Sequence, residues 1–247
     1  MHACAPKGFF IIMPSSLQTR FMSSLHCTNI AGEKKNLKGD LSRVNDISLS
    51  FELSSFYAIC GAEGCGKNLL LEILGLLERP SSGEIYVEDK STGSWDDAEQ
   101  EKFRNHNFGY LLEGWTLLPA FTVVENIAIP YLRHFEARPE DARRAAEEAL
   151  EFCGIHDAAS TLACDLSPRM QEMTAFARAI AHKPKILFAE SCASAGAMLS
   201  LARAAADFLD MTVIWTGERE ALIGYSDRLI EISEGRVICD EPVQRIP

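Results

Sequence analysis

GAEGCGKNLLLEILG, from Gly61 to Gly75, is the stretch that decides how this chain is read. Gly61, Gly66 and Lys67 stand at the spacing G-x-x-x-x-G-K, with Gly64 between them. Glycines at these positions let successive backbone N–H groups turn toward phosphate oxygens, and a helix that begins at the lysine adds the positive end of its dipole. Lys67 then supplies a point charge for the β and γ phosphates. The residue after such a lysine ordinarily carries a hydroxyl, but here it is Asn68. Gly61, Gly64, Cys65, Gly66, Lys67, Asn68 and Leu69 are therefore the candidate nucleotide site, and the motif alone leaves a tight strand-to-helix turn as the alternative.

The neighbouring sequence supplies the setting such a loop requires. ISLSFEL, residues 47–53, alternates apolar and polar, and FYAIC, residues 56–60, is a short apolar run that stops at a glycine; both read as strands, the second buried. LLLEILGLL switches to helical spacing, and ERPSSGEIYVE ends that helix and starts another strand. Downstream, DDAEQEKFRNH reads as a polar helix and NFGYLL as a strand, with two helical patterns between Thr122 and Cys153 that part near Pro139. A helix from Pro168, the strand KILFAE, an alanine-rich helix over 196–209, the strand MTVIWT, helical spacing over 218–223 and a hairpin of DRLIEI with GRVIC complete the order. Alternating strands and helices predict an α/β fold with a mainly parallel sheet, and a helical subdomain is expected at about 113–178.

The totals narrow the function classes. The chain has 247 residues, enough for one sizeable domain, and Met22 opens a second start, so 1–21 is expected to be a tail or a matter of start site and 22–247 the domain. Thirty-five acidic residues against 24 Lys and Arg give a net charge of −11, which argues against nucleic acid and against direct binding to an anionic membrane. No apolar run approaches the ~20 residues that span a bilayer. The eight cysteines are scattered without a C-x-x-C pair and read as small core residues in a reducing cytosol rather than disulfides or metal ligands.

From about Leu25 to Asp240 the chain resembles the nucleotide-binding subunit of an ABC transporter, and RNHNFGYLLEGWTLLPAFTVVENIAIPYL is similar to the lipoprotein-releasing and MacB-like branch. The pieces follow in order: the phosphate loop, LLERPSSGEIYV, LLPAFTVVENI, Leu166-Ser167, AFARAIAHKPKILFAE, TVIWT and DRLIEISEGRV. The resemblance implies the ABC type of P-loop NTPase fold, with an antiparallel β part beside the main sheet. It implies ATP and Mg²⁺ as cofactors, two subunits that sandwich two nucleotides, and docking on an integral-membrane permease. It also implies a cytoplasmic location, peripheral on the inner face of the cell membrane.

The polar positions that carry the family's chemistry are where this chain departs from it. Asn68 replaces the hydroxyl that holds Mg²⁺, and Glu113 replaces the glutamine that couples metal and permease; a carboxylate there either binds the metal or repels the γ-phosphate. The signature loop reads Leu166, Ser167, Pro168, Arg169, Met170 where two glycines are expected, so a backbone donor is lost and a long side chain gained. Arg169 either replaces those dipoles with a full charge or marks a lost site. The end of KILFA reads Glu190, Ser191: Glu190 either stands one methylene too long in the metal aspartate's place, or serves as the base with Ala189 in that place. Ala197 stands where the family has an aspartate that communicates across the dimer, Gly217 where it has a switch histidine, and Cys192 and Ala193 where it has Pro-Thr. TNIAGEKKNLKG offers no aromatic residue to stack on adenine.

Core positions such as Ile73, Leu76, Phe188 and Ile214 are of the expected kind. A fold kept while its catalytic positions change together predicts a degenerate subunit with weak or no ATP hydrolysis, paired with a copy of itself or with another cassette. Two further readings stay open: an active motor in which Glu190 and Glu113 share the base and metal roles, and a nucleotide-independent scaffold.

Overall fold

The computed structural model describes residues 24–35, 41–112, 116–135, 137–190 and 195–244. The N-terminal stretch 1–21, Glu113, Ser191, Cys192 and Ala193 lie outside these residues. In chain order the strands are β1 (Leu25–Lys35), β2 (Leu41–Phe51), β3 (Phe56–Cys60), β4 (Ser82–Val87), β5 (Lys90–Ser91), β6 (Phe108–Leu111), β7 (Ile186–Glu190), β8 (Thr212–Gly217), β9 (Arg228–Ser233) and β10 (Arg236–Pro242). The helices are α1 (Lys67–Leu74), α2 (Asp97–Asn107), α3 (Val123–Phe135), α4 (Pro139–Phe152), α5 (Pro168–Ile180), α6 (Ala195–Phe208) and α7 (Arg219–Leu222).

Two sheets form. A four-stranded antiparallel sheet runs β2-β1-β4-β5, and a six-stranded sheet runs β10-β9-β3-β8-β7-β6. In the larger sheet β9, β3, β8, β7 and β6 are parallel, and β10 closes one edge antiparallel to β9. The buried runs of β3 and β7 have layers on both faces, which is why they read as unbroken apolar stretches rather than as alternation.

Strand parity sorts the core into two layers. Phe56, Ala58 and Cys60 of β3, Leu187 and Ala189 of β7, and Val213 and Trp215 of β8 face one cluster, shared with α3 to α7. Tyr57, Ile59, Ile186, Phe188 and Ile214 face the other, where α1 lies between the two sheets against β1, β2 and β4. Ile73, Leu76, Phe188 and Ile214 are all buried, as their sequence positions led us to expect. The helices α3, α4 and α5 pack against one another on the far side of the parallel sheet.

The structure departs from the sequence reading at three points. TNIAGEKK, read as preceding the first strands, is itself part of β1; Asn29 at φ 51° and register shifts around Ile30 break the alternation that would have announced a strand. Strand β2 starts at Leu41 rather than residue 47, and Asp46 within it has φ 54°. Cys27, Cys60, Cys65 and Cys153 are buried, but Cys164 is exposed and Cys239 half-buried, so burial does not account for every thiol.

Candidate functional site

The parallel strands β3, β7 and β8 end along one edge of the sheet, the place where such sheets hold ligands. Cys60 pairs with Gly217 and Glu190 with Thr216, so the C-terminal ends of all three strands are level. The phosphate loop leaves β3 at this edge and enters α1 with Gly66 as its N-cap in the left-handed region, φ 103°.

The loop is held open by backbone rather than by side chains. A Cβ on Gly66 would run into the carbonyl of Arg43 on β2, and a Cβ on Gly61 into the carbonyl of Ile232 on β9. The Gly235 N–H donates to the Cys65 carbonyl at 2.9 Å, and the Gly235 carbonyl accepts from the Asn45 N–H at 2.7 Å. Strand β2, the loop and the turn before β10 are thus tied into one wall, with the side chain of Cys65 filling its inside. Sequence reasoning missed this wall. Its only signal was the Ser233-Glu234-Gly235 turn, with Glu234 and Gly235 both at positive φ.

Lys67 Nζ donates to the Ala62 carbonyl at 3.0 Å. Asn68 is the second helical residue; its Oδ1 is enclosed and has no hydrogen-bond partner. Burial pushes the Cys60 thiol at the end of β3 up to about 11, against the opposing pull of the Arg219 charge, so the thiol stays neutral. Arg219 is itself bound by Glu231 at 3.1 Å and Glu241 at 2.9 Å.

Glu190 ends β7, only 8% exposed, and has the same parity as Ile186 and Phe188, toward α1. Ala189 points into the opposite layer, packed with Val213 and Trp215. Of the two registers left open by the sequence, the one that puts Ala189 in a metal ligand's place therefore fails on geometry, because Ala189 faces away from the loop. Glu190 remains, with Ser191 next to it outside the described residues. Gly217 at the end of β8 has no side chain with which to contact a phosphate. Ala197 sits in the first part of α6.

Pro168 and Arg169 open α5. Ser167 is its N-cap and accepts from the Met170 N–H at 3.4 Å; Pro168 takes the first helical position, where a proline costs no helix hydrogen bond. Ser167, Pro168 and Arg169 are exposed, while Leu166 and Met170 are half-buried. The substitution therefore preserves the helix start while removing the donor from its tip.

The loop fits nucleotide phosphate: its close-packed glycines, free helix N-terminus and lysine form the cradle that phosphate oxygens require. The donor set fits Mg²⁺ poorly. Mg²⁺ demands oxygen ligands in near-octahedral geometry, yet Asn68 Oδ1 is closed to water and Glu190 is nearly buried and already partnered. Among the described residues no group of three His, Cys, Asp or Glu is placed to hold a metal ion.

A family profile described as ABC transporter matches residues 44–193. The chain belongs to the ABC transporter family. It is 32% identical over 211 residues to the lipoprotein-releasing system ATP-binding protein LolD of Aquifex aeolicus, covering 83% of this chain and 93% of that protein. It is 30% identical over 210 residues to an uncharacterized ABC transporter ATP-binding protein of Methanocaldococcus jannaschii, covering 81% and 92%. The macrolide export ATP-binding/permease protein MacB of Burkholderia pseudomallei is 31% identical over 215 residues; the match takes in 85% of this chain but 32% of MacB. LolD and MacB represent the branch that the sequence resembles. The fold agrees: the ATP-binding cassette MJ0796, in a dimeric post-hydrolysis state bound to ADP and Pi, superposes at a TM-score of 0.79 with 24% identity, covering 90% of this chain and 100% of that one. In this ABC family member no helix among the described residues is long and apolar enough to cross a membrane.

Proposed function

We propose that this chain is the nucleotide-binding subunit of an ABC transporter of the LolD and MacB branch, that it binds ATP or ADP at Gly61 to Leu69, and that it hydrolyses ATP weakly or not at all. It pairs with a second cassette subunit, either a copy of itself or a different one, and docks on an integral-membrane permease at the inner face of the cell membrane. Lipoprotein release is the transport process that the LolD likeness favours.

One observation carries the reading. The glycine and lysine loop stands at the sheet edge, while the strand ends beside it offer Gly217, which has no side chain, in the switch histidine's place and a nearly buried Glu190 in the metal aspartate's place, followed in sequence by Ser191 in the base's place. Loss of a positioned base typically slows a reaction by roughly 10²–10⁴. Pro168 and Arg169 at the start of α5 add to this, since a neighbouring subunit's nucleotide meets fewer backbone donors there.

Docking is supported by the segment after β6. Leu118 and Phe121 are exposed, and Leu162 joins them where it bridges to Thr122, so large apolar side chains meet solvent on adjoining loops. A permease helix that covers them removes that apolar surface from water.

The deciding experiment is nucleotide titration combined with a steady-state ATPase assay on the purified chain. The expected result is measurable nucleotide binding with turnover at background. Turnover abolished by Lys67→Ala or by Glu190→Gln overturns the inactive reading in favour of a motor with displaced catalytic groups. Failure of any nucleotide to raise the melting temperature favours the scaffold reading, because a ligand that binds only the folded state must stabilise it.

A further inference from the structure

We infer that this loop binds nucleotide phosphate without a divalent cation, the Asn68 carboxamide donating a hydrogen bond to phosphate where a hydroxyl otherwise holds Mg²⁺. The inference rests on the reading that the loop takes a nucleotide, and it names how the charge of that nucleotide is met.

The two ends of the Asn68 carboxamide have different surroundings. Oδ1, the only atom of this side chain able to ligate a metal, is enclosed against the protein with no partner. An atom that a water molecule does not reach is not reached by Mg²⁺, which keeps several waters and sits at about 2.0–2.1 Å from each oxygen. Asn68 as a whole is half-buried, and Nδ2 makes no hydrogen bond among the described residues. It carries two N–H donors, which repel a cation and suit a phosphate oxygen.

The rest of the site has the same bias. Asn68 directly follows Lys67 in the first turn of α1, and that turn contains no acidic residue. Within that turn no carboxylate opposes the positive end of the helix or the lysine, and the loop's own Glu63 is exposed. Glu190 is the carboxylate at the strand ends that faces α1, and it is nearly buried and already partnered. Apart from the exposed Glu63, the loop and helix start offer N–H donors and one ammonium, the composition of an anion site rather than of a metal–phosphate site.

The test is calorimetric titration of the purified full chain with ATP, once in excess EDTA and once in millimolar Mg²⁺. Dissociation constants within about threefold of each other are expected. Binding tighter by tenfold or more in Mg²⁺ overturns this inference and leaves nucleotide binding standing. Absence of binding in both buffers overturns both. Two variants sharpen the test, with melting temperature as the check on folding. Asn68→Ser restores the hydroxyl and is expected to make Mg²⁺ tighten binding at least tenfold. Asn68→Leu keeps the volume without donors and is expected to weaken binding in EDTA by about tenfold, the worth of one hydrogen bond to a charged group. Unchanged affinity in Asn68→Leu overturns the assigned role of the carboxamide.

Discussion

The ammonium of Lys67 donates to the carbonyl oxygen of Ala62, five residues earlier, at 3.0 Å. The loop therefore satisfies its own cation from its own backbone, and a phosphate must compete only with one exposed carbonyl that water readily takes over. Lys67→Met keeps the aliphatic stem and removes the charge. Nucleotide affinity is expected to fall by about 10- to 100-fold, the value of one charge-assisted hydrogen bond of roughly 1.5–3 kcal/mol. The melting temperature in the absence of nucleotide is expected to stay nearly unchanged. Calorimetric titration and thermal unfolding of the same sample check both halves, and a large loss of stability without loss of affinity contradicts the assignment.

Gly66 and Gly64 separate packing from backbone strain. Both have positive φ, 103° and 75°, but a Cβ on Gly66 meets the Arg43 carbonyl, whereas a Cβ on Gly64 meets nothing within 4 Å. Gly64→Ala is expected to cost about 1 kcal/mol for the left-handed conformation alone. Gly66→Ala must also push β2 away from the loop and is expected to cost at least about 3 kcal/mol. Differential scanning calorimetry gives the comparison, at about 2–4 °C per kcal/mol for a chain of this size. Equal losses in the two variants contradict the wall of β2 against the loop.

What the sequence disclosed follows from what local chemistry can encode. The glycines, the lysine and the strand-to-helix switch at Gly61 to Gly75 are local, so loop and helix were legible. The parity that puts Glu190 beside Phe188 and opposite Ala189 follows from a strand period of two once β7 is placed. Strand β1 was not legible, because its bulges near Ile30 and its polar end from Glu33 to Lys35 erase the alternation, and only pairing with β2 and β4 makes it a strand. The wall behind the loop was not legible either. Arg43, Cys65 and Gly235 meet through backbone atoms, and backbone contacts between distant segments leave no residue pattern.

The buried thiols fix the alkaline limit of stability. Burial pushes Cys27 and Cys60 from the usual 9.0 up to about 11, and Cys153 up to about 12. These folded-state pKa values are raised, so the native chain keeps protons that the unfolded chain sheds. Their contribution is complete below about pH 9 and is lost as pH rises through about 11 to 12. Burial of the Tyr57, Tyr110 and Tyr131 phenols acts in the same direction. The urea midpoint is expected to hold steady up to about pH 8.5 and to fall steadily above pH 9. Cys153→Ala is expected to make that fall shallower. A midpoint that is flat from pH 9 to 11 contradicts the burial of these groups.

Asn126 governs the shape of the segment proposed to meet the permease. Its side chain is buried in the first turns of α3; Oδ1 accepts from the Leu118 N–H at 2.6 Å, while Nδ2 donates to the carbonyls of Leu118, Phe121 and Thr122 at 3.1, 3.2 and 3.0 Å. One carboxamide thus closes the turn that presents Leu118 and Phe121 outward. Asn126→Leu fills the same volume but leaves the Leu118 N–H without its acceptor, while the carbonyls of Leu118, Phe121 and Thr122 keep only the backbone N–H groups of Phe121, Ala163 and Asn126. A loss of about 2–3 kcal/mol is expected, within the range for buried groups left unsatisfied. Most of it should appear as local opening, because Leu118 and Phe121 of this turn are exposed while the α3 core residues Val123 and Ile127 remain buried. Hydrogen exchange is therefore expected to accelerate at the amides of 118–122 and to stay slow in β3, β7 and β8. If the whole chain exchanges faster to the same degree, Asn126 supports the global fold rather than this turn, and a docking defect in Asn126→Leu then says nothing about the shape of the segment.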